Sequence, residues 1–429
     1  MKRGQIAALI APLVLIGCEG APAFVDGWSP GQLAQIESLA ITALPPIRPS
    51  PGNRVADSAA AARLGEVLFF DPCIAGAERA CASCHVPALA FTDGLPRAAS
   101  PAGAPSNRNT PSIVGAAWSY WQYWDGRRDS LWAQALLPIE AENEMAGSRV
   151  QLAADLGSPR YRELYAAAFG APPPSFTLPP RAYTAAPLGS AADSAAWHDL
   201  PQGARREINR LFANAGKAIA AFERTLAPKP TRFDAYVASL RRRAPLAIDP
   251  SERLGISLFI DPERTQCLQC HNGPLLTNGA FHSVGSGRFV GAELDLGRII
   301  GIQAALQDEF NCLGPYSDAA SDADCVALRH LETGGHDDFA GRFKTPSLRN
   351  LSKTAPYFHD GRYPTLAAVI DHYVNPPIDN GQHELRPLGL NADERAALVA
   401  FLDMLTEPGH RAGPDQPFRS CGPRAHPPL

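Results

Sequence analysis

The sequence predicts a mainly α-helical protein made of two copies of one unit, connected by long irregular loops. Three observations predict it. A segment of the chain recurs, apolar residues return near every 3.6 positions in both copies, and nothing argues for an extended sheet. The recurring stretch is Arg63-Leu64-Gly65-Glu66-Val67-Leu68-Phe69-Phe70-Asp71-Pro72 against Arg253-Leu254-Gly255-Ile256-Ser257-Leu258-Phe259-Ile260-Asp261-Pro262. Each copy leads into a Cys-x-x-Cys-His and then a similar tail, Phe91-Thr92-Asp93-Gly94 or Leu276-Thr277-Asn278-Gly279. A second shared block follows. Thr110-Pro111-Ser112, Trp124-Asp125-Gly126-Arg127 and Ser130-Leu131 match Thr345-Pro346-Ser347, His359-Asp360-Gly361-Arg362 and Thr365-Leu366 at identical spacing.

Helical periodicity covers Leu33 to Leu39, Ser58 to Phe70, Ser130 to Ile139, Val150 to Phe169 and Ala204 to Leu226. It resumes over Arg232 to Leu240, Glu252 to Ile260, Thr365 to Val374 and Ala392 to Leu405, the last with Asn391 as N-cap and Asp393-Glu394 in its first turn. The 41 prolines and 36 glycines predict many turns between these helices. The Pro-, Ala- and Ser-rich stretch from Ala171 to Pro201 reads as a linker or surface excursion, and the boundary between copies as Pro245 to Pro250. The expected organisation is a signal peptide over 1–17, a tether over 18–55, one domain over 56–245 and a second over 246–429.

The 45% hydrophobic content suits a chain with a sizeable core, and a net charge of −4 without a basic stripe speaks against a nucleic-acid partner. Lys2 and Arg3 followed by the apolar run Ile6 to Ile16 form an export signal too short to span a bilayer comfortably. Its end, Leu15-Ile16-Gly17-Cys18, resembles a bacterial lipobox, with Cys18 as the lipidated residue and Glu19 pointing to the outer membrane. The expectation is a soluble periplasmic body that meets the membrane only through a lipid anchor.

Nine cysteines are present, and Cys18 and the two Cys-x-x-Cys-His motifs account for five. Cys73, Cys312, Cys325 and Cys421 remain, an even number in an oxidising compartment. Cys312 and Cys325 flank a short polar loop and form the favoured pair. Cys73 with Cys421 is left by elimination, and free thiols are the alternative.

Cys81-Ala82-Ser83-Cys84-His85 and Cys267-Leu268-Gln269-Cys270-His271 each carry the c-type haem attachment pattern: two thiols for the vinyl groups and an adjacent histidine for the iron. Zinc would need four ligands per site, and neither motif has a second pair beside it. Each unit is therefore expected to be a cytochrome c-like haem domain.

The sixth iron position decides what a haem can do. Tyr373 lies 12 residues after Gly361, and the aligned position 12 residues after Gly126 is Pro138, which has no donor atom. The second haem is thus expected to be closed by His271 and Tyr373, and the first to be held by His85 alone. Packing is the alternative role for Tyr373, and His359, Tyr363 and His372 compete for the ligand position.

From Leu64 to about Leu405 the chain resembles the bacterial dihaem cytochrome c peroxidases and their relative MauG. The likeness rests on both Cys-x-x-Cys-His motifs, Trp124-Asp125-Gly126-Arg127, Phe343-Lys344-Thr345-Pro346-Ser347-Leu348-Arg349-Asn350 and Thr354-Ala355-Pro356-Tyr357-Phe358-His359-Asp360-Gly361. The resemblance implies Tyr373 as distal ligand, as in the MauG-like, MbnH-like members. It implies a peroxide pocket of Gln134, Pro138 and Glu144, with Glu144 moving a proton between the peroxide oxygens. Trp124 would couple the haems, and a Ca²⁺ would take Asn109 and the carbonyls of Thr354 and Pro356. No histidine occurs from Val86 to Arg108, so the first haem is expected to be open when oxidised. Where MauG has a surface tryptophan for hole transfer this chain has Thr265, and Trp118, Trp121 and Trp132 are the substitutes offered. The implied activity is peroxide-dependent oxidation of a Trp or Tyr on a periplasmic partner protein. The alternatives are a peroxidase drawing electrons from a small cytochrome, and a non-enzymatic dihaem electron carrier.

Overall fold

A computed structural model describes residues 24–421, apart from 102, 104, 176, 287–288, 291–292, 332–338, 378–382, 410–412 and 414–420. The export signal and Cys18 lie outside the described residues. No helix among the described residues is long and apolar enough to cross a membrane.

The described α-helices, in chain order, are α1 (Pro30–Ser38), α2 (Ala59–Phe70), α3 (Leu131–Gln134), α4 (Leu137–Glu140), α5 (Arg149–Leu156), α6 (Arg162–Phe169), α7 (Ala191–Asp199) and α8 (Gln202–Glu223). They continue with α9 (Arg232–Arg241), α10 (Pro250–Ile260), α11 (Cys267–Cys270), α12 (Arg298–Gln307), α13 (Val326–Arg329), α14 (Leu366–Val374) and α15 (Ala392–Asp403). The β content is small: Phe281–His282 pairs antiparallel with Phe343–Lys344, and Phe289–Val290 with Glu293–Leu294.

Local chemistry sets the helix ends. Ser58, Asp249, Thr365 and Asn391 each cap a helix by accepting a backbone N–H, and Asp249 and Asn391 close full capping boxes with Glu252 and Glu394. Two of the expected helices are split. Ser130 to Ile139 becomes α3 and α4, because Pro138 lacks the N–H that a continuous helix needs there. Val150 to Phe169 becomes α5 and α6, broken at Gly157-Ser158-Pro159. The expected linker from Ala171 to Pro201 is also corrected. It contains α7, and Ala182, Ala185, Trp197 and Leu200 from it are buried in the first core.

The duplication is structural as well as textual. In each copy the first helix crosses the last one at a glycine. A Cβ on Gly65 of α2 would overlap the Ala218 carbonyl of α8, and a Cβ on Gly255 of α10 would overlap the Ala397 carbonyl of α15. The turns match too. Gly126 and Gly361 both sit at positive φ, 69° and 67°, where a Cβ is strained. Each turn is closed by an antiparallel bridge, Gln122 to Arg128 and Tyr357 to Tyr363.

Two cores result. The first runs from Val55 to Leu226 and takes in Phe310. The second joins Trp28, Ile36 and Leu39 to residues from Phe233 to Leu405. Helix α9 therefore packs with the second copy although it precedes Pro245, and α1 from the amino-terminal extension packs there as well. The Arg349–Asp234 ion pair, 2.6 Å, pins this arrangement, and Arg349 also donates to Leu39 O at 2.9 Å. Both expected disulfides form. Cys312–Cys325 closes its loop, and Cys73–Cys421 ties the carboxy-terminal segment to the first copy.

Candidate haem sites and the cavity that joins them

One continuous, largely apolar cavity of about 880 Å³ is lined by both Cys-x-x-Cys-His segments. The four cysteines of these motifs take no part in either disulfide. Each histidine is held the same way: His85 Nδ1 donates to Phe91 O at 2.9 Å, and His271 Nδ1 donates to Leu276 O at 2.9 Å. A carbonyl can only accept, so Nδ1 carries the proton and Nε2 keeps its lone pair, the tautomer that an iron ligand requires. Burial favours the neutral ring in both, lowering His85 and pulling His271 down to about 4. The accepting carbonyls belong to residues at positive φ, Phe91 at 62° and Leu276 at 51°. Ser112 and Ser347 steady the same loops by donating to Ala90 O at 2.6 Å and Leu275 O at 2.7 Å. A thiol pair, an oriented neutral imidazole and an apolar slot together fit a covalently attached haem in each copy.

Aligned positions line the cavity in both halves: Phe69 and Phe259, Leu131 and Leu366, Ile219 and Leu398. Three of the aligned positions that differ between the halves change the chemistry of the lining. Gln134 stands opposite Val369, Pro138 opposite Tyr373, and Glu223 opposite Leu402, and all six residues line the cavity.

On the first side Gln134, Pro138 and Glu144 line the cavity with Cys81, Cys84 and His85. Burial pushes the Glu144 carboxyl up, and the Arg127 guanidinium partly offsets this. Arg127 stacks 3.6 Å over the Tyr123 ring and pairs with Asp125 at 3.1 Å, while Tyr123 OH donates to Gln134 O at 3.1 Å. Tyr123 and Arg127 were not anticipated from the sequence. Their signal was the turn alignment, which sets Tyr123 against Phe358 and Arg127 against Arg362.

On the second side Tyr373 lines the cavity near Cys267 and Cys270; burial, then those two thiols, push its phenol up. Two of its competitors are committed elsewhere. Tyr363 OH and His372 Nδ1 bond each other at 2.8 Å, and His372 Nε2 donates to Val284 O at 2.6 Å. His359, the counterpart of Trp124, stacks on Phe343 with centroids 3.7 Å apart.

Trp124 sits at the seam. Its Nε1 donates to Asn109 O at 2.9 Å, and its carbonyl accepts from Lys344 N of the second copy at 2.7 Å. Asn109, Thr354 and Pro356 line the cavity too, and Asn109 N donates to His359 O at 2.8 Å. The Asn109 amide nitrogen donates to Leu95 O at 2.9 Å. Of the three substitute tryptophans only Trp118 lines the cavity. Trp121 lies under Arg298, and Trp132 is fully buried against Phe310. Thr265 is also buried, donating to Leu258 O at 2.7 Å.

Comparison with known proteins decides the family. Residues 59–242 match the family model described as di-haem cytochrome c peroxidase. The methylamine utilization protein MauG of Methylorubrum extorquens is 31% identical, the match covering 80% of this chain and 77% of that one. This chain belongs to the dihaem cytochrome c peroxidase and MauG family. Its members are dihaem c-type oxidoreductases that use hydrogen peroxide. The cytochrome-c peroxidase IdrP1 of Denitromonas iodatirespirans is 30% identical over 85% of this chain and 86% of its own length. Among solved structures, a MauG-like protein associated with microbial copper homeostasis superposes with a TM-score of 0.57 at 25% identity, covering 85% of this chain and 95% of its own. The diheme peroxidase BthA of Burkholderia thailandensis shares the fold, with a TM-score of 0.58 at 23% identity over 88% of this chain and 94% of its own.

Proposed function

We propose that this family member is a MauG-like oxidase that uses peroxide at the haem of Cys81–His85 to oxidise a Trp or Tyr side chain of a periplasmic partner protein. The observation that carries the reading is the asymmetry at one aligned position, Pro138 against Tyr373. The two haems supply the iron that binds peroxide and retains its oxidising equivalents, and the chain supplies everything else. Cys81 and Cys84, and Cys267 and Cys270, would hold the rings as thioethers, and His85 and His271 would offer Nε2 to the irons. Tyr373 would be the further oxygen ligand of the second haem, and an anionic oxygen ligand would lower the potential relative to methionine. Pro138 leaves the corresponding space open for peroxide. Glu144 accepts the proton of one peroxide oxygen and delivers it to the departing one, a transfer helped by its raised pKa. Gln134 orients the peroxide by its amide, and Trp124 connects the two sides.

Within the family the reading nearest to hand is MbnH-like, oxidation of a tryptophan on a copper-binding partner, and the likeness to the copper-associated MauG-like protein supports it. We further propose one Ca²⁺ between the haems, on the Asn109 side chain and the Thr354 and Pro356 carbonyls. The bond from the Asn109 nitrogen to Leu95 O leaves the harder oxygen for the cation. Export to the periplasm and lipid anchoring at Cys18 in the outer membrane complete the proposal.

The test is the visible spectrum after one equivalent of peroxide, followed by mass spectrometry of the periplasmic protein encoded beside this chain. A persistent oxidised state and a mass change of the partner are expected. Prompt decay, with fast turnover of a reduced small cytochrome, would instead select the cytochrome c peroxidase reading, which the likeness to IdrP1 favours.

A further inference from the structure

Burying a carboxyl without a partner is unfavourable by a few kcal/mol, so a buried acid in a cofactor cavity calls for a physical reason. Glu223, at the end of α8, is 4% exposed and lines the cavity, and its Oε2 has no hydrogen-bond partner. The duplication supplies an internal control. The paired crossings Gly65 on Ala218 and Gly255 on Ala397 align Glu223 with Leu402, which lines the second side. The second copy therefore packs the same helix crossing with a leucine, and folding alone does not ask for an acid.

The surroundings hold no counter-charge for it. Its helix neighbour Arg224 turns away to Asp57 at 2.6 Å and to Arg48 O at 2.9 Å. Lys217, farther back on α8, pairs with Asp318 at 2.9 Å. On α2, Arg63 pairs with Glu66 at the surface, and α3 offers only the neutral Gln134. On the segment around Cys81, Arg79 donates to Ala99 O. The titratable groups that share its side of the cavity include Cys81, Cys84, His85, Tyr123 and Glu144; of the arginines there, Arg127 is paired with Asp125 at 3.1 Å and Arg48 lies 3.5 Å over the Tyr120 ring. Glu223 is the strongest charge felt by Cys81. Thioether formation removes both thiols from titration. Burial alone pushes the Glu223 carboxyl up to about 8.

We infer that Glu223 is the redox-linked proton holder of the His85 haem: its carboxyl keeps a proton while that haem is reduced and releases it when the haem is oxidised. The balance is one for one. One electron leaves the haem for a one-electron redox mediator, which is reduced. One O–H bond of the carboxyl breaks, and its proton passes to water. The positive charge gained at the haem stabilises the carboxylate left behind, as a nearby cation does for any buried acid. Glu223 is thus a positioning residue for charge, distinct from Glu144, which handles peroxide. The inference rests on the proposed attachment of a haem at Cys81–His85.

The experiment is a spectroelectrochemical titration of the dihaem holoprotein from pH 6 to pH 9 or so, in wild type, Glu223→Gln and Glu223→Leu. In wild type the first haem's reduction equilibrium is expected to weaken with rising pH by up to tenfold per unit, about 59 mV for one electron. Both variants should lose that slope, and the second haem, with Leu402 beside it, should be unchanged by them. The haem's own carboxylates titrate alike in all three proteins, so the difference isolates Glu223. A slope retained in Glu223→Gln, with both haems in place, overturns this inference and leaves the proposed function standing. A holoprotein without a haem at Cys81–His85 overturns both. Should the variants not assemble, wild type decides by redox-difference infrared spectroscopy. The carbonyl stretch of a protonated carboxyl must vanish in step with oxidation of the first haem, and an unchanged carboxyl region refutes the assignment.

Discussion

The two helix crossings allow one perturbation to be made twice, once per haem. Gly65→Ala places a Cβ onto the Ala218 carbonyl and 2.9 Å from Ile219 Cα. Gly255→Ala places one onto the Ala397 carbonyl and 2.8 Å from Phe401 Cβ. Real Cβ atoms do not approach other atoms closer than 3.0 Å. In both cases the obstacle is backbone, which cannot rotate aside as a side chain can, so the helices must part. Overpacking of this kind destabilises by about 1–3 kcal/mol, and a backbone clash belongs at the upper end. For a domain of this size that lowers Tm by about 2–12 °C. The displaced helices carry Phe69, Ile219 and Glu223 on one side, and Phe259, Leu398 and Leu402 on the other, all lining the cavity. Gly65→Ala should therefore slow the reaction of the His85 side with peroxide and leave the second haem's spectrum intact. Gly255→Ala should alter the second haem's spectrum and leave the peroxide reaction of the His85 side intact. Differential scanning calorimetry with resonance Raman of each haem reads both effects. An unchanged Tm in either variant, or damage spread equally over both haems, would refute the reasoning that the crossings are close and independent.

Replacing Glu144 by Gln should lower the rate of peroxide cleavage by about 10²–10⁴-fold with the haem spectra preserved, measured by stopped flow. The base form of Glu144 is needed first, and burial raises its pKa, so the rate should rise with pH through a midpoint above the ordinary carboxylate range. Because Arg127 holds that pKa down, Arg127→Ala should move the midpoint to higher pH. Arg349→Leu leaves Asp234 buried without its partner, and urea denaturation should show a loss of about 3–5 kcal/mol. Asp234 is also a pH probe. Burial raises its pKa, but the bonds from Arg349 and from backbone N–H groups outweigh this and hold it below the unfolded value. Its contribution is full above the unfolded pKa and is lost as pH falls through the folded one, so acid denaturation should begin at higher pH in Asp234→Asn.

Much of the fold was legible because a duplication writes itself into sequence twice. The haem motifs, the matched turns at Gly126 and Gly361, and the Pro138–Tyr373 contrast all follow from local spacing. Helix ends fared less well. Pro138 and Pro159 interrupt patterns that periodicity alone reads as continuous, since an apolar stripe persists across a break in hydrogen bonding. The stretch from Ala171 to Pro201 misled for a related reason. Its composition is that of a linker, but one side chain, Trp197, buries enough surface to dock it, beneath Arg149 at 5.0 Å.

The sequence by itself determined that there are two equivalent frames, where their thiols and histidines lie, and which position distinguishes them, because covalent attachment and turn geometry depend on residues close along the chain. Only the tertiary structure decided what those frames share and enclose. Long-range packing brings the two slots into one cavity, hands α1 and α9 to the second core, and commits Tyr363 and His372 to each other. These are contacts between residues up to hundreds of positions apart, selected by which surfaces exclude water together, and no local pattern records them.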